Sequence, residues 1–204
     1  MAGFIDLHSH WVAGVDDGAK NLDESRALLT SLRAAGFGYV VATPHMRPGM
    51  FDNEGDRLRS AYRETSQALG LSEERQEGDY PRVGLGCEHY FDDVVYERLL
   101  GGDGLLYPGG HAALIEFGHR AFPARAQNRL FDLKRRGVRP VLAHPERYGP
   151  VSDDPEVLEP LLDVGVLLLL DVASLDGKYG RSAKRAAERL LELGYYYAAC
   201  SDAH

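Results

Sequence analysis

The stretch Asn128–Glu146, NRLFDLKRRGVRPVLAHPE, decides the fold of this chain. It begins with a helical pattern, passes through Gly137, continues as the apolar run Val141–Ala143 and reaches His144. A glycine directly after a helix can adopt the left-handed backbone conformation without a Cβ penalty. A continuous apolar run is typical of a strand that is buried on both faces of a parallel sheet. The stretch therefore predicts a helix, a turn and a buried parallel strand that ends at a histidine.

The same order of features recurs in the stretches Leu28–His45, Leu158–Asp171 and Arg185–His204. The predicted strands are Phe4–Leu7, Tyr39–Thr43, Val83–Cys87, Ala112–Phe117, Val141–Ala143, Val166–Leu170 and Tyr196–Cys200. About seven β units that alternate with helices predict an α/β architecture. Nearly every predicted strand ends in His, Asp or Glu. This favours a barrel-like ring over an open sheet, because a barrel gathers functional residues from many strand ends on one face.

The remaining segments predict less regular structure. Arg47–Asp79 is polar and charged, with a helix predicted at about Asp56–Leu69. Leu71–Pro81 predicts an exposed loop, and the glycine-rich stretch Leu99–His111 predicts another. No linker composition interrupts the chain, so we expect a single domain over residues 1–204, a length sufficient for one sizeable core.

Composition excludes several function classes. The net charge of −8 disfavours nucleic acid and anionic membranes as partners. No apolar run approaches the roughly 20 residues that span a bilayer, and the amino terminus has no basic signal-peptide region, so we predict a cytoplasmic protein.

The cysteines Cys87 and Cys200 each end an apolar run and are predicted to be core residues. A cysteine-dependent phosphatase needs an arginine six positions after the nucleophile, where Cys87 is followed by Asp93.

Histidines and carboxylates cluster at the predicted strand ends. The candidates are His8, His10, Asp16, Asp17, His45, Glu88, His89, Glu116, His144, Asp202 and His204. A lone histidine after a strand is more often structural, but six strand ends converge on one face in this architecture. Unpaired ionisable groups crowded there would be costly, and cations remove that cost. Mixed histidine and carboxylate ligands without a thiolate cluster suit Mn, Fe or Zn, with Mg also considered, and their number predicts two or three ions.

Five segments then carry a resemblance. Phe4–Lys20 (FIDLHSHWVAGVDDGAK), Ala42–Phe51 (ATPHMRPGMF), Leu114–Phe117, Leu142–Tyr148 (LAHPERY) and Ser201–His204 together resemble the PHP (polymerase and histidinol phosphatase) superfamily. Within it, they resemble the bacterial manganese-dependent tyrosine-protein phosphatases of the CpsB/CapC type, which regulate capsular and exopolysaccharide synthesis. The resemblance covers nearly the whole chain in the right order. It implies a distorted (β/α)7 TIM-like barrel, the PHP fold, here expected to lack the C-terminal helical segment that follows SDAH in the family.

The resemblance also implies a three-metal cluster. Its ligand groups would be His8, His10, Glu116 and Asp202 for one metal, Glu88, Glu116 and His144 for a second with Glu116 bridging, and Asp17, His45 and His204 for the third. Asp16 matches the neighbouring aspartate of the D-D-G motif, which is not a ligand in the family. Three histidines fall where the family pattern has no ligand, and we expect structural or surface roles for them: His89, His111 and His119.

Two arginines are candidates for phosphate binding. Arg47 and Arg147 each lie two or three positions past a predicted ligand histidine, and a guanidinium can hold phosphate oxygens bidentately. Met50 and Phe51 could form an apolar wall for an aromatic leaving group, or could equally belong to the core. The run Tyr195–Tyr197 is predicted to start a buried strand rather than to be a phosphorylation site.

The expected reaction is metal-assisted hydrolysis of a phosphate monoester. Two metals would share a water, lower its pKa and so generate hydroxide for in-line attack on phosphorus, while Arg47 and Arg147 offset the oxygen charge. The resemblance implies a phosphotyrosine protein as substrate, namely a bacterial tyrosine kinase with a Tyr-rich tail, and a homo-oligomer is considered. The alternatives are a phosphoesterase for a small metabolite such as histidinol phosphate, a PHP domain that serves a DNA polymerase, and a non-catalytic module that binds phosphorylated tails.

Overall fold

The computed structural model describes residues 3–74 and 78–204. Its strands are β1 Phe4–Ser9, β2 Phe37–Ala42, β3 His45–Met46, β4 Arg82–Leu85, β5 Glu88–Tyr90, β6 Ala112–Glu116, β7 Arg139–Ala143, β8 Leu167–Asp171 and β9 Tyr196–Cys200. Its α-helices are α1 Leu22–Ala34, α2 Gly55–Leu69, α3 Asp93–Gly101, α4 Ala126–Arg135, α5 Gly149–Asp153, α6 Glu159–Asp163 and α7 Gly180–Glu192. Short 3-10 turns cover Pro145–Arg147, Pro155–Leu158 and Val172–Ser174. The predicted α/β class is confirmed.

The strands form two parallel sheets in the described part of the chain. One has the order β1-β2-β4 and the other the order β3-β5-β6-β7-β8-β9. Strands β3 and β5 continue β2 and β4 after interruptions at Thr43–Pro44 and Gly86–Cys87. The prolyl nitrogen of Pro44 carries no hydrogen, so it cannot continue the ladder. The predicted units Tyr39–Thr43 and Val83–Cys87 are therefore each followed by a second short strand that changes sheet, which the sequence did not predict.

Backbone hydrogen bonds tie the segment after β9 to β1. The amide of Asp202 donates to the His8 carbonyl over 3.0 Å, and the amide of His10 donates to the Ala203 carbonyl over 2.9 Å. Ser201 donates to the buried carboxylate of Asp6 through its amide, 2.9 Å, and its hydroxyl, 2.5 Å. The carboxyl ends of β1 and β9 therefore lie side by side.

The stretch around Gly137 folds as its sequence predicts. Helix α4 buries Leu130 and Leu133 against the sheet, and each fully buried leucine contributes about 1.5–3 kcal/mol. The helix is followed by Gly137 with φ 86°, whose amide donates to the Lys134 carbonyl, and the amide of Val138 donates to the Leu133 carbonyl. These bonds satisfy the last carbonyls of the helix and direct the chain into β7.

Apolar packing occurs on both sides of the strands. A large core fills the space between strands and helices, and a smaller cluster lies on the strands' opposite side, formed by Leu114, Val141, Ala143, Leu169 and Cys200. Both cysteines are buried free thiols whose pKa is raised well above its usual range by burial, as expected for core residues. No helix in the described residues is long and apolar enough to cross a membrane.

Two local predictions need correction. The predicted loop Leu99–His111 is wrong at its start, because α3 continues to Gly101 and buries Leu99 in the core. Tyr197 is in a strand but is 69 % exposed, so the prediction of a buried strand is wrong there. A register irregularity opposite β8 places an extra residue at this position. The predicted loop Leu71–Pro81 includes positions 75–77, which lie outside the described residues; its other residues form no helix or strand.

Candidate metal centre

The nine predicted ligands converge at the carboxyl ends of the strands. Seven of them are buried: His8, His10, His45, Glu88, Glu116, His144 and Asp202. The side chains of Asp17 and His204 are more exposed, 55 % and 32 %, and lie at the edge of the cluster. Ligand atoms of these residues form four overlapping groups, within each of which all atoms lie within 4.8 Å of one another. The convergence of strand ends that the sequence predicts is therefore present.

The two histidines of β1 are oriented by hydrogen bonds on their outer nitrogens. His8 Nδ1 lies 2.6 Å from Thr43 Oγ1, and His10 Nδ1 lies 2.8 Å from Asp16 Oδ2. Both Nε2 atoms are buried, point into the cluster and have no hydrogen-bond partner in the described part of the chain. A ring held in this way presents an unprotonated nitrogen to its other side, which is the usual arrangement of a metal-ligating histidine.

Glu88 occupies the middle of the cluster. Its Oε1 lies 2.9 Å from His144 Nε2 and 3.4 Å from His8 Nε2, and its Oε2 lies 3.0 Å from His45 Nδ1 and 3.6 Å from His10 Nε2. The structure thus brings one carboxylate within reach of four imidazoles. The sequence contains no signal that would distinguish Glu88 from Glu116 in this respect.

Glu116 lies at the side of the cluster. It groups with His45 and Glu88, but in the described residues it does not group with His8, His10 or Asp202. Its Oε2 is buried without a hydrogen-bond partner, and its Oε1 lies 3.5 Å from His119 Nε2. The bridging role that the resemblance implies for Glu116 is better matched by the position of Glu88.

The outer group combines His10, Asp17, His45 and His204. Asp17 Oδ1 lies 3.3 Å from His45 Nε2 and 3.5 Å from His204 Nε2. The imidazole of His204 stacks on that of His10, with ring centroids 4.2 Å apart and planes inclined by 20°. The structure therefore brings together the three ligands predicted for a third metal and adds His10 next to them.

Two of the converging residues have unusual backbone conformations. His144 has φ 34° and Asp202 has φ 44°, and in the described residues the only other non-glycine position with positive φ is Arg125. A non-glycine residue in this region costs on the order of 1–3 kcal/mol and commonly marks a functional site. The strain aims both side chains at the cluster, where Asp202 Oδ1 lies 3.1 Å from His8 Nε2.

The charges in the cluster depend on each other. Burial lowers the pKa of His8, but the attraction of Glu88 and Asp202 outweighs it, so the pKa lies above its usual value. For His10 burial again opposes the charged form, but the hydrogen-bonded carboxylate of Asp16 and the nearby carboxylate of Asp202 raise the pKa well above the usual range. Burial raises the pKa of Glu88, but His8 and His45 bring it well below normal. The ring nitrogens therefore attract protons or cations strongly.

The two predicted phosphate-binding arginines differ. Arg147 donates from Nη1 to Asp202 Oδ2 over 2.6 Å, and its guanidinium carbon lies 4.3 Å from the centre of the Tyr179 ring. Arg47 places its guanidinium 4.2 Å from the centre of the Tyr90 ring, and the described residues offer it no ion-pair partner. Both arginines line a cavity of about 500 Å³ next to the cluster. The Arg147 guanidinium thus already binds Asp202, whereas the Arg47 guanidinium has no described ion-pair partner and is available to an anion.

The cavity has an apolar wall. A tight turn joins Arg47 to Phe51, whose backbone groups exchange two hydrogen bonds of 3.1 and 2.8 Å. The Phe51 ring stacks on His45 with centroids 5.3 Å apart, and Met50 is 59 % exposed at the tip of the turn. Of the two readings that the sequence left open, both side chains line the cavity and neither is buried in the core.

Comparison with known proteins identifies the family. The family model for capsular polysaccharide synthesis proteins, CpsB/CapC, matches residues 4–204. The chain belongs to the CpsB/CapC family. This CpsB/CapC protein is 30 % identical over 204 residues to the tyrosine-protein phosphatase YwqE of Bacillus subtilis, covering 98 % of this chain and 77 % of YwqE. It is 27 % identical over 205 residues to the tyrosine-protein phosphatase CpsB of Streptococcus pneumoniae, and the match covers 98 % of this chain and 82 % of that protein.

Solved structures agree with the family assignment. One crystal structure superposes on this chain with a TM-score of 0.88 at 29 % identity. It comes from a study of B. subtilis YwqE and S. pneumoniae CpsB, which are described there as unique metal-dependent tyrosine phosphatases. It covers 98 % of this CpsB/CapC chain and 79 % of the other. A mutant organophosphorus hydrolase from Deinococcus radiodurans superposes with a TM-score of 0.52 at 18 % identity, covering 99 % of this chain and 76 % of the hydrolase. This likeness concerns the fold alone. The resemblance predicted from the sequence is confirmed.

Asp16 was predicted not to be a ligand, and the other supporting residues of the CpsB/CapC site were not predicted. Thr43 and Asp16 orient the β1 histidines, and Asp6 holds Ser201 next to them. His119 was expected to be a structural or surface residue, yet it lines the cavity next to Glu116. A signal for Asp16 was available, because D-D-G places two carboxylates in one loop. Hydrogen bonds across 35 residues or more, such as that of Thr43 with His8, leave no local signal in the sequence.

His89 lies outside the centre. Its Nδ1 lies 2.8 Å from the Leu114 carbonyl, and its Nε2 accepts from the Leu105 amide over 3.2 Å. Burial lowers the pKa of His89 to about 4, so the ring is neutral at pH 7. His111 is exposed and lies at the opposite end of the strands.

The donor set fits divalent cations. Unpaired buried nitrogens and carboxylate oxygens, held by outer hydrogen bonds and facing a common space, would be destabilising without a positive partner. Mixed imidazole and carboxylate ligands without thiolates match transition-metal ions. The residues present in this chain therefore suit a multinuclear metal centre.

Proposed function

We propose that this CpsB/CapC protein is a metal-dependent phosphatase that hydrolyses phosphotyrosine in proteins. The observation that carries the proposal is the pair of buried, unpaired Nε2 atoms of His8 and His10, which face Glu88 and Asp202 beside a cavity lined by two arginines. Such a centre next to a cationic pocket suits phosphate ester hydrolysis.

The proposed ligand sets combine the family resemblance with the geometry. His8, His10 and Asp202 hold one ion, because Asp202 Oδ1 lies 3.1 Å from His8 Nε2 and 3.5 Å from His10 Nε2. Asp17, His45 and His204, which lie in one group, hold another. His144 and Glu116 are assigned to a further ion on the resemblance alone. Glu88 replaces Glu116 as the shared carboxylate, because it lies among four imidazoles. Manganese is the proposed metal, with Fe, Zn or Mg as alternatives. When bound, the ions supply Lewis-acid activation of water and neutralise charge on the phosphate oxygens.

The protein's own residues position the ester. Arg47 binds phosphate oxygens with its guanidinium, and Arg147, which also lines the cavity, holds Asp202. The phenyl ring of the substrate rests on Met50 and Phe51. A tyrosyl leaving group, with a pKa of about 10, departs more readily than an alkoxide and needs less help from a general acid.

Several broader features belong to the same proposal. The two sheets form one closed, distorted (β/α)7 TIM-like barrel and one domain, supported by the hydrogen bonds between β1 and the residues after β9. The substrate is the Tyr-rich tail of a bacterial tyrosine kinase in the cytoplasm. Assembly into a homo-oligomer stays a prediction.

A substrate panel tests the proposal. Steady-state rates are measured on a phosphotyrosine peptide, a phosphoserine peptide of the same sequence and histidinol phosphate, before and after EDTA and after Mn²⁺ is restored. We expect the phosphotyrosine peptide to have the highest kcat/KM, EDTA to abolish it and Mn²⁺ to restore it. A peptide rate no higher than the histidinol phosphate rate supports the metabolite alternative. Full metal occupancy without any ester hydrolysis supports the binding-module alternative.

A further inference from the structure

A second cavity lies at the amino ends of the same strands. It has a volume of about 650 Å³, within the range of about 300–1,000 Å³ that is typical of small-molecule sites. Its apolar lining is supplied mainly by Leu7, Tyr107, Val141, Leu167 and Leu169. It shares no lining residue with the cavity at the metal centre.

Small side chains keep this space open. Ala112 and Ala198 line it at the start of β6 and in β9. Leu114, Ala143 and Cys200, which belong to the same apolar cluster but do not line the cavity, are buried nearer the carboxyl ends of the strands. The cavity is therefore a separate space and not an extension of the catalytic pocket.

The inner part of the cavity suits an apolar group. The Tyr107 hydroxyl donates to the Leu7 carbonyl over 2.8 Å, so it is already engaged. Most of the remaining lining consists of aliphatic side chains on β1, β7 and β8. A hydrocarbon chain placed there would gain burial without leaving a polar partner unpaired.

The rim of the cavity is cationic. Lys134 and Arg139 supply its positive charge, and they line it together with His111; all three are exposed. Within residues 3–74 and 78–204, neither Lys134 nor Arg139 forms an ion pair, and no lining residue is acidic. In a chain with net charge −8, such a concentration of unpaired positive charge favours an anionic group at this place.

We propose that this cavity binds a single-chain amphipathic anion of the medium-chain fatty acid type. The hydrocarbon tail occupies the apolar interior, and the carboxylate binds Lys134 and Arg139 at the rim. The proposal is independent of the phosphatase reaction, because its residues lie at the opposite end of the strands from the metal ligands.

Isothermal titration of the metal-loaded protein with dodecanoate, below its micellar concentration, tests the site. We expect binding at one molecule per chain, and no comparable binding of the cationic amphiphile dodecyltrimethylammonium. Arg139→Glu should weaken dodecanoate binding at least about tenfold, because it replaces a charge-assisted contact with repulsion. Arg57→Glu makes the same charge change at an exposed position of α2 that lines neither cavity, and should leave the affinity unchanged.

A filling substitution supplies the second arm. Ala198→Phe should abolish dodecanoate binding while thermal melting and phosphatase rate confirm that the variant is folded. If Ala198→Phe does not fold, the dodecanoate affinity of Arg139→Glu still tests the proposal, because Arg139 is exposed and its substitution should not disturb folding. The proposal is overturned if dodecanoate does not bind, if Arg139→Glu and Arg57→Glu bind it equally, or if the protein binds only phosphatidylglycerol vesicles and not the free anion.

Discussion

The two ends of the same parallel strands have opposite chemistry. At its carboxyl end β7 leads into His144, which faces Glu88 at 2.9 Å, while its amino end carries Arg139 and Val141 at an apolar cavity. Buried charges gather at one end and hydrocarbon at the other. The difference shows that the proposed metal-binding residues and the apolar core residues lie at different places along the strands. Substitutions at the carboxyl end should therefore change activity, and substitutions at the amino end should change the free energy of unfolding.

The physical basis of this separation is the cost of burying charge. At the carboxyl end the strand ladders stop, and backbone conformations such as that of Asp202 can turn side chains inward. Each carboxylate there is stabilised by an imidazole or an arginine rather than by water. In the middle of the strands, Leu169 and Leu114 exclude water and need no partner.

The largest expected effect is at the charged end. Glu88→Gln keeps the shape of the side chain but removes the negative charge that faces four imidazoles. Because Glu88 is the proposed shared metal ligand, its loss should lower kcat/KM by about a thousandfold, which corresponds to about 4 kcal/mol of transition-state stabilisation. The bound metal, measured by elemental analysis after gel filtration, should fall with it.

Glu146→Gln is the matched control. Glu146 is also buried after a strand, but it accepts hydrogen bonds from Ser174, Tyr196 and the Asp171 amide, outside the centre. Its substitution should lower stability and leave activity per folded molecule within about tenfold. Equal losses of activity in both variants would contradict the central position of Glu88.

The second expected effect is at the apolar end. Leu169→Ala removes a fully buried side chain next to the cavity and should lower the free energy of unfolding by about 2–5 kcal/mol. The kcat of the folded fraction should not change. Urea unfolding and steady-state kinetics check both statements, with the exposed Leu191→Ala on α7 as the control that changes stability by less than about 0.5 kcal/mol. A large fall in kcat for Leu169→Ala would mean that the two ends are coupled.

A smaller effect is expected behind the metal ligands. Thr43→Val keeps the side-chain volume but removes the oxygen that lies 2.6 Å from His8 Nδ1. Substitution of such an outer partner lowers metal affinity by about 10–100-fold. Competition with a chelator measures the change, and Thr65→Val, a buried threonine outside the centre, is the control. If both variants keep wild-type affinity, the hydrogen bond does not orient His8 for a metal.

The smallest effect concerns the acid sensitivity of the fold. The folded pKa of His89, about 4, lies below its unfolded value of about 6.5, so the unfolded chain binds a proton first as the pH falls. This residue therefore decreases stability progressively from about pH 6.5 toward pH 4, by about 2 kcal/mol between pH 7 and pH 5. His89→Gln should reduce the pH dependence by that amount in urea unfolding with EDTA present. An unchanged pH dependence would show that the ring is not kept neutral.

Much of the fold was predictable because its signals are local. The passage from α4 through Gly137 into β7 follows from helix periodicity, a glycine with φ 86° and a continuous apolar run. The strand interruptions at Pro44 and Gly86 were missed, because an apolar run does not show that a strand changes sheet. Tyr197 was predicted to lie in a buried strand for a similar reason, since a register irregularity opposite β8 leaves no local signal in the sequence.

The sequence by itself determined the alternation of helices with the longer strands, the residue types available as metal ligands and the family. These follow from periodicity, backbone preferences and motifs within a few residues of one another. Only the tertiary structure decided that Glu88 lies among four imidazoles, that Arg147 is bound to Asp202 while Arg47 is free, and that an apolar cavity with a cationic rim lies at the far end. Those relations join residues tens of positions apart, and the register of neighbouring strands, rather than any local preference, decides which of them meet.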